Sequence, residues 1–420
     1  MKRLIRPSLR LQFVPRKRET IMPSTKMPIS IEALAAFLLL SHFSCEAATL
    51  RVPGDYPTIQ DAIHAAARSG DTVLVSPGTY VEVLQLNKSL TLTSTKGATE
   101  TAVVGDTNSP VLWISLRANE SATISGFKFT RGLVGVITSN RVTLEDNIVA
   151  ENGGGGVSIN GDDVTVRHNM ITSSGGHNEA GVMVSGERAL IEDNLIEGNV
   201  SNGCGGGISL LTGSSAVVLR NRIDRNHAET GGGICSRSQG AVYVGDNLIY
   251  DNDATYSGGG IFITGADSKD KSDGQWINNT VSDNTAVIVS QVYVTKFNRR
   301  AVIANNVLSA ADGSVALGCD DDDASVPFFD NNDIFTTGST AATGSCAAAA
   351  LGGTNLSAPP DFQDGANGHP YHLAPDSPLV DAGSNEAARR LHRDFGNRPR
   401  IIDGGHGPIV DIGAFEYHPE

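Results

Sequence analysis

The chain has 420 residues, of which 40% are hydrophobic and 47 are glycine, and its formal net charge is −14. This composition is typical of a globular protein rich in turns. It excludes collagen, because the glycines follow no triplet period. An acidic surface repels nucleic acid and anionic lipid, so nucleic acid is excluded as a general partner.

Residues 1–48 have the organisation of a signal peptide with a basic extension. An apolar run over residues 33–40 follows the basic stretch, and a small-residue pattern suits cleavage near Thr49. The run is too short to span a bilayer, so we expect no transmembrane segment in the mature chain. A buried helix is the alternative, and the long basic stretch leaves open a later start at Met22 or Met27. We predict a secreted or extracytoplasmic protein, in the periplasm or at the cell surface.

Residues 49–110 are predicted to form an N-terminal cap and the first coils of a repetitive fold. Within them, residues 59–68 form a short amphipathic stretch. Such a stretch predicts a helix with one apolar face. A helix here would cover the first coil, which otherwise exposes its core and a strand edge.

An asparagine returns eight times in the region predicted to hold the repeats, residues 111–350. The interval ranges from 22 to 32 residues, a period that marks a solenoid. The residues three before and two after each asparagine are apolar in every copy. The eight positions are Asn147, Asn169, Asn194, Asn221, Asn247, Asn279, Asn306 and Asn332.

The pattern inside each repeat favours strands over helices. About three short runs alternate apolar and polar residues, as in residues 164–166 and 182–184. Glycine clusters such as residues 205–207 and 231–233 exclude long helices. We therefore predict an all-β parallel β-helix with three strands per coil. The asparagines are expected to stack at a bend, with side-chain amides bonding between neighbouring coils.

Three segments of the predicted N-terminal cap, residues 56–63, 70–73 and 77–82, carry a resemblance to a known group. They resemble the entry segment of the pectin-lyase-like superfamily of right-handed parallel β-helices. The resemblance implies a right-handed solenoid whose open end is capped by the helix predicted over residues 59–68. Members of this group include polysaccharide lyases, hydrolases, esterases and epimerases. Their catalytic motifs are not matched in this chain, so the resemblance is specific to fold.

The C-terminal segment, residues 351–420, contains the motifs 377–383, 394–395, Arg400 and 410–416. These motifs are similar to the last segment of secreted bacterial β-helix proteins of the choice-of-anchor type. The similarity implies secretion and, in many members, a surface-anchoring tail. The printed chain stops at Glu420, so release and a lost anchor are both open.

Four cysteines follow the predicted cleavage site. Cys319 and Cys346 are 27 residues apart, one repeat, so neighbouring coils would bring them close enough for a disulfide in an oxidising compartment. Cys204 and Cys235 fall out of register with each other. We expect these two to be unpaired.

Charged residues collect in consecutive turns that follow equivalent strands, and this edge is the candidate site. The longest interval in the array, from Asn247 to Asn279, adds an insertion there, as binding loops on solenoids do. The catalytic candidates are Lys269, Lys271, Lys296 and Arg299. The substrate-binding candidates are Phe262, Tyr293, Arg237 and Arg300. The metal-binding candidates are Asp320, Asp321, Asp322 and Asp323.

These residue types suit lyase chemistry on an acidic polysaccharide. Carboxylates holding Ca²⁺ would neutralise a uronate, a lysine or arginine would act as base, and outward aromatic rings would stack on sugars. The alternative is that turns on an acidic protein carry charge because they are solvated. The hypothesis is a secreted protein that binds, and in its stronger form cleaves, a polysaccharide or cell-surface glycan. The rival hypothesis is a non-catalytic structural or adhesive protein.

Overall fold

The computed structural model describes residues 47–67, 70–176, 180–238, 240–265, 274–296, 301–321, 326–363 and 368–419. Within these ranges the chain winds in successive coils, and three long sheets run along the solenoid. Every neighbouring pair of strands in these three sheets is parallel, as one strand per coil and per sheet requires. The predicted three-stranded coil is confirmed.

Sheet 1 carries the apolar residue that lies three positions before each asparagine. These residues pair in register from Leu144 through Val166 and Ile191 to Phe329, and all are buried. The sheet has 12 strands in the described part of the chain. They are Thr49–Val52, Asp71–Val75, Leu90–Ser94, Ala122–Ser125, Val142–Glu145, Thr165–Arg167, Ala189–Glu192, Ala216–Leu219, Val242–Gly245, Gln275–Ile277, Val302–Ala304 and Phe328–Asp330.

Sheet 2 carries the apolar residue two positions after each asparagine. Val149, Ile171 and Ile196 begin this column, which continues to Ile334 and is buried throughout. Each such side chain contributes about 1.5–3 kcal/mol of transfer free energy. The strands are Gly78–Val81, Thr101–Val104, Lys128–Thr130, Ile148–Ala150, Met170–Thr172, Leu195–Glu197, Arg222–Asp224, Leu248–Tyr250, Thr280–Ser282, Val307–Ser309 and Asp333–Phe335.

Sheet 3 closes each coil and alternates buried with outward residues. Ile261 and Ile263 are buried, for example, whereas Phe262 between them faces outward and is half-buried. The strands are Leu84–Leu86, Leu112–Ile114, Val134–Thr138, Gly155–Ile159, Val182–Val184, Ile208–Leu210, Ile234–Ser236, Ile261–Thr264, Val292–Thr295, Leu317–Cys319 and Ala342–Thr343.

Two small sheets and three helices complete the described fold. Sheet 4 is parallel and lies between sheets 2 and 3 in chain order, with strands His227–Thr230, Asp253–Ser257 and Thr285–Ala286. Sheet 5 is the antiparallel pair Phe362–Gln363 and His372–Leu373. The helices are α1 (Ile59–Ala65), α2 (Ala347–Ala350) and α3 (Asn385–Ala388). In the ranges described above, no helix is long and apolar enough to cross a membrane.

The asparagine ladder has the predicted hydrogen bonds. Asn221 shows the pattern, because its amide nitrogen donates to Asn247 Oδ1 at 3.0 Å and to the carbonyl of Ile191 at 2.8 Å. Its own Oδ1 accepts from the backbone and side chain of Asn194. The ladder extends past the eighth residue to Asn355. A second ladder, from Asn199 through Asn226 to Asn284, supports the next bend.

Helix α1 ends earlier than predicted. The sequence indicated a helix over residues 59–68, but the chain leaves helical geometry at Ala66, where ψ is 136°. Two hydrogen bonds to groups outside the helix end it here. The ammonium group of Lys88 donates to the carbonyl of Ala66, and the amide of Ala67 donates to the carboxylate of Asp71. At the other end, the carboxylate of Glu82 accepts from the first helical amides, which stabilises the helix N-terminus.

The disulfide prediction is half right. Cys319 and Cys346 are joined, with their Cα atoms 5.8 Å apart. The prediction that Cys204 and Cys235 are unpaired is wrong, because they also form a disulfide, with a Cα separation of 5.4 Å. Cys204 does not occupy a strand position equivalent to Cys235. It lies in the loop before its own sheet 3 strand and reaches the outward side chain of the next coil.

The C-terminal segment folds back onto the corner between sheets 1 and 2. Its anchor is Arg400, whose guanidinium is fully buried and lies 2.5 Å from Asp246 and 3.1 Å from Glu416. The same side chain donates to the carbonyls of Gly413 and Ala414. The segment is therefore an integral part of the folded unit in the last coils.

Candidate functional site

The candidate site is a pair of aromatic rings on the outer face of sheet 3. Phe262 and Tyr293 are register partners on adjacent coils, as predicted. Their ring centroids are 5.9 Å apart and the ring planes differ by 14°. Both side chains are half-buried, so each ring keeps an exposed part. Flat rings stacked in register present an apolar surface of the kind on which a sugar ring packs.

The structure limits this aromatic surface to two coils. On one side the register partner of Phe262 is Cys235, which is fully buried in its disulfide. On the other side the partner of Tyr293 is Gly318. A Cβ at Gly318 would lie 2.4 Å from Cγ2 of Val289 and 3.2 Å from Cδ2 of Tyr293. Glycine at 318 therefore leaves the space that the Tyr293 ring uses.

Asp320 holds the tyrosine in place. One carboxylate oxygen accepts from the hydroxyl of Tyr293 and the other from the hydroxyl of Thr295. Charge-assisted O–H···O bonds of this kind are strong and fix side-chain direction. Asp320 is half-buried, whereas Asp321 beside it is exposed. The position that sequence reasoning assigned to a metal ligand thus orients the aromatic surface.

Lys296 directly follows Thr295 and is exposed at the end of the strand that carries Tyr293. Its backbone φ is +56°, so the chain turns sharply at this residue as it leaves sheet 3. Phe262, Tyr293, Thr295, Lys296 and Asp320 are together called the ring site below. A cation three residues along the chain from the Tyr293 ring gives the ring site the two features that bind an acidic sugar.

Arg237 lies on the same edge but farther from the ring site. It follows Ser236, which pairs with Ile263 on the next coil, and Ile263 pairs with Val294. Arg237 is therefore two coils from Thr295, about 10 Å at the usual strand spacing. It is exposed and would meet a bound chain only if that chain extends along the solenoid axis.

Half of the predicted site residues lie outside the described residues. They are Lys269, Lys271, Arg299, Arg300, Asp322 and Asp323. Of the four catalytic candidates, Lys296 alone is described. In the ranges that the structure covers, no three histidine, cysteine, aspartate or glutamate side chains gather as a metal-binding group. The Ca²⁺ assignment stays a prediction.

Comparison with known proteins identifies the architecture. A family model described as the right-handed β-helix region matches residues 113–286. The pectate lyase Pel9A has a similar structure, with a TM-score of 0.54 and 15% identity, covering 88% of this chain and 96% of its own. The fold is a right-handed parallel β-helix. At this identity the similarity to the pectate lyase shows the fold alone.

Two further solved structures have lower TM-scores. The A-module of a mannuronan C-5 epimerase from Azotobacter vinelandii has a TM-score of 0.49 and 17% identity, covering 68% of this chain and 94% of that one. An alginate lyase from Paenibacillus sp. has a TM-score of 0.38 and 14% identity, covering 70% and 94%. No curated protein sequence matches the chain.

Sequence reasoning missed the contact that organises the ring site. It treated Asp320 as one of four consecutive acidic residues and Tyr293 as an independent stacking ring. The sequence does place the two in neighbouring coils, since Tyr293 pairs with Gly318, two residues before Asp320. The hydroxyl of Thr295 was the available indication that this strand end carries donors for a carboxylate.

Proposed function

We propose that the protein is secreted and binds an acidic polysaccharide or cell-surface glycan at the ring site. The observation that carries the proposal is the stack of Phe262 and Tyr293, fixed by Asp320, with the exposed Lys296 at the end of the same strand as Tyr293. Sugar rings would pack on the aromatic faces, and the ammonium group would pair with a uronate carboxylate. The fold adds context, since one similar solved structure is that of a pectate lyase.

The stronger form of the proposal is cleavage by β-elimination. A base removes the proton from C5 of a uronate, the C4–O4 bond breaks, and the electron pair leaves with the glycosidic oxygen, which takes up a proton. Lys296 is the described candidate for the base, and Ca²⁺ held by acidic residues of the neighbouring turn would neutralise the carboxylate. The product carries a C4=C5 double bond that absorbs ultraviolet light.

A non-catalytic structural or adhesive role is the second candidate. It is favoured by the contacts of Asp320, both of whose carboxylate oxygens already accept from hydroxyl groups. Ca²⁺ binding at Asp320 would have to replace both hydrogen bonds. A protein that only binds glycan needs the oriented rings and no base.

The experiment that tests the proposal measures binding and cleavage on the same panel of uronic-acid polysaccharides, with and without Ca²⁺. Replacing Tyr293 by alanine should weaken binding about tenfold, because it removes one ring and the group that Asp320 orients. Replacing Lys296 by methionine should abolish any ultraviolet product while leaving neutral-sugar contacts intact.

Trp113 supplies the matched control. It lies on the same outward column of sheet 3, is 51% exposed, and is six coils from Phe262. Trp113→Ala should leave binding unchanged. Equal losses in the Tyr293 and Trp113 variants would contradict a local site, and binding without any product would assign the non-catalytic role.

A further inference from the structure

A pocket lies between sheet 1 and the C-terminal segment, on a different face of the solenoid from the ring site. Its volume is about 240 Å³. The floor is formed by Gln275, Val302 and Phe328, which are register partners on three adjacent coils. These three positions span about 10 Å along the solenoid axis. The ring site, by contrast, lies on sheet 3.

The roof of this pocket, which we call the sheet 1 pocket, is held firmly to the sheet. Ser384 is the N-cap of helix α3, and its backbone amide donates to Asn305 Oδ1 at 2.7 Å. The amide nitrogen of Asn305 donates back to the carbonyl of Ser384 at 3.0 Å. On the far side, Asn385 donates to the carbonyl of Pro408 at 2.9 Å. The pocket is therefore preformed, and a ligand need not order its walls.

Two guanidinium groups line the roof, and they have different partners. Arg389 donates to the carboxylate of Glu386, one turn earlier in the chain. Arg390 instead lies over the ring of Tyr243, with Cζ 5.7 Å from the ring centroid. Arg390 is thus positioned by an aromatic ring and makes no ion pair within the described ranges. Asp330 and Glu386 also line the pocket, and Glu386 is paired with Arg389.

The floor supplies the complementary surface. Phe328 is 60% exposed although it begins a strand of sheet 1, so a large apolar ring faces the opening. Gln275 offers an amide that both donates and accepts hydrogen bonds. An exposed ring, an amide and a guanidinium in one cavity match the face, the hydroxyls and the carboxylate of an acidic sugar.

Size limits what the pocket holds. Sites for drug-sized ligands usually measure about 300–1,000 Å³. At about 240 Å³ the sheet 1 pocket suits one ring better than an oligosaccharide. The ligand is therefore a single unit, either free or at the end or branch of a longer chain.

We propose that the sheet 1 pocket binds one carboxylate-bearing sugar ring. Arg390 pairs with the carboxylate, Phe328 packs on the ring face and Gln275 bonds to hydroxyl groups. This inference goes beyond the proposed function, because it involves another face and different residues, and it requires neither a polymer nor cleavage. The two proposals share only the class of ligand.

The test is titration of the full folded chain with sodium galacturonate, followed by calorimetry or ligand-observed NMR. Galactose, which has the same ring without the carboxylate, is the control ligand. Arg390→Gln and Phe328→Ala should each weaken galacturonate binding at least tenfold. Both side chains are exposed, so neither change is expected to unfold the protein. Arg51→Gln removes an exposed arginine in the first strand and should change nothing.

The outcomes separate this inference from the proposed function. Galacturonate binding that survives Tyr293→Ala but not Arg390→Gln supports the sheet 1 pocket, whether or not any polymer binds the ring site. Binding that Arg390→Gln and Phe328→Ala leave intact overturns it. Equal affinity for galactose overturns the role of Arg390, and the absence of any galacturonate binding overturns the inference as a whole.

Discussion

The corner between sheets 1 and 2 is built alike in the eight coils that carry a ladder asparagine, yet its contacts differ along the solenoid. The residue before each ladder asparagine has a φ near +55° and points away from the core. In the earlier coils this residue is exposed or pairs along the corner, as Arg220 does with Asp193. In the later coils it is Asp246, Asn278 or Asn305, each fully buried beneath the C-terminal segment.

The difference shows how one repeated position becomes a docking site. Asn278 donates to the carbonyls of Asp411 and Gly413, and Asn331 donates to that of Ala382. Asp246 receives the buried Arg400. The corner residues of successive coils form a regularly spaced row of side chains. The C-terminal segment, which has no repeat of its own, forms hydrogen bonds and an ion pair with that row.

Replacing the buried Arg400 should cause the largest loss of stability, and the loss should be confined to the C-terminal segment and the coils that it covers. Arg400→Met leaves Asp246 and Glu416 buried without their partner, which costs about 3–5 kcal/mol. The C-terminal segment should detach while the earlier coils stay folded. Hydrogen exchange should rise in residues 379–416 and over the later sheet 1 strands, with little change near Asn169.

Exposed Arg51 is the control for that experiment, because Arg51→Met removes a charge with no buried partner. Exchange that rises evenly along the whole chain of the Arg400 variant would contradict separate behaviour of the two regions.

The second prediction concerns pH and the buried Asp333. Burial raises its pKa to about 7, while one oxygen accepts from the amide of Ala358. The folded state therefore holds a proton that the unfolded state releases near pH 4. This contribution to stability is complete below about pH 4 and is lost as pH rises to about 7. A shift of about three pKa units bounds the loss at about 4 kcal/mol.

The variant Asp333→Asn should flatten this fall in stability. Burial also raises the pKa of Asp246 and of Asp411 to about 7, so the natural chain titrates several groups in the same direction. Denaturant melts from pH 4 to pH 8 would measure the difference between the two proteins. If the difference is constant over that range, Asp333 is ionised in the folded state and the argument fails.

The coils of the β-helix could be predicted from the sequence because the same residue pattern recurs at the same position in each coil. One asparagine with its two apolar neighbours recurs in eight coils, and each copy confirms the others. The docking of the C-terminal segment has no such repetition. The sequence does indicate these contacts through a pair of consecutive asparagines at 278–279, 305–306 and 331–332. The earlier coils have a charged residue or histidine at the position before the ladder asparagine.

The candidate site was predictable in position but not in contacts. Register alone placed Phe262 beside Tyr293, because strands in a solenoid repeat their pairing from coil to coil. The contact of Asp320 with two hydroxyls depends on the exact path of one turn. So does the loop that brings Cys204 to Cys235. Loop paths are set by individual contacts that a periodic pattern does not encode.

The third prediction compares one corner position in the two regions. Asn278→Ala removes the donor to two buried carbonyls and the acceptor for Asn305 Nδ2, and each buried group left unsatisfied costs about 1–3 kcal/mol before relaxation. Asp146→Ala is the control, because its φ of 56° matches the 55° of Asn278 and its side chain is exposed. Both alanines have the same positive φ, so the difference in unfolding free energy measures the buried hydrogen bonds of Asn278, two of them to the C-terminal segment and one to Asn305. Equal losses would refute a docking role for Asn278.

The smallest effect is expected at a corner residue that pairs with a neighbouring coil instead of with the C-terminal segment. Arg220 lies 2.8 Å from Asp193 and 3.0 Å from Glu192, and its side chain keeps 16% of its exposure. Partly solvated pairs contribute about 0.2–1 kcal/mol, so Arg220→Ala should destabilise by no more than about 1 kcal/mol beyond the Asp146 control. That small loss should shrink further in 1 M salt, where the screening length is about 3 Å. Because burial protects Arg400 from screening, its variant should keep its full effect in the same salt. If salt does not reduce the loss of stability in Arg220→Ala, the ion pairs of Arg220 are shielded from solvent as those of Arg400 are, and the contrast between the two regions fails.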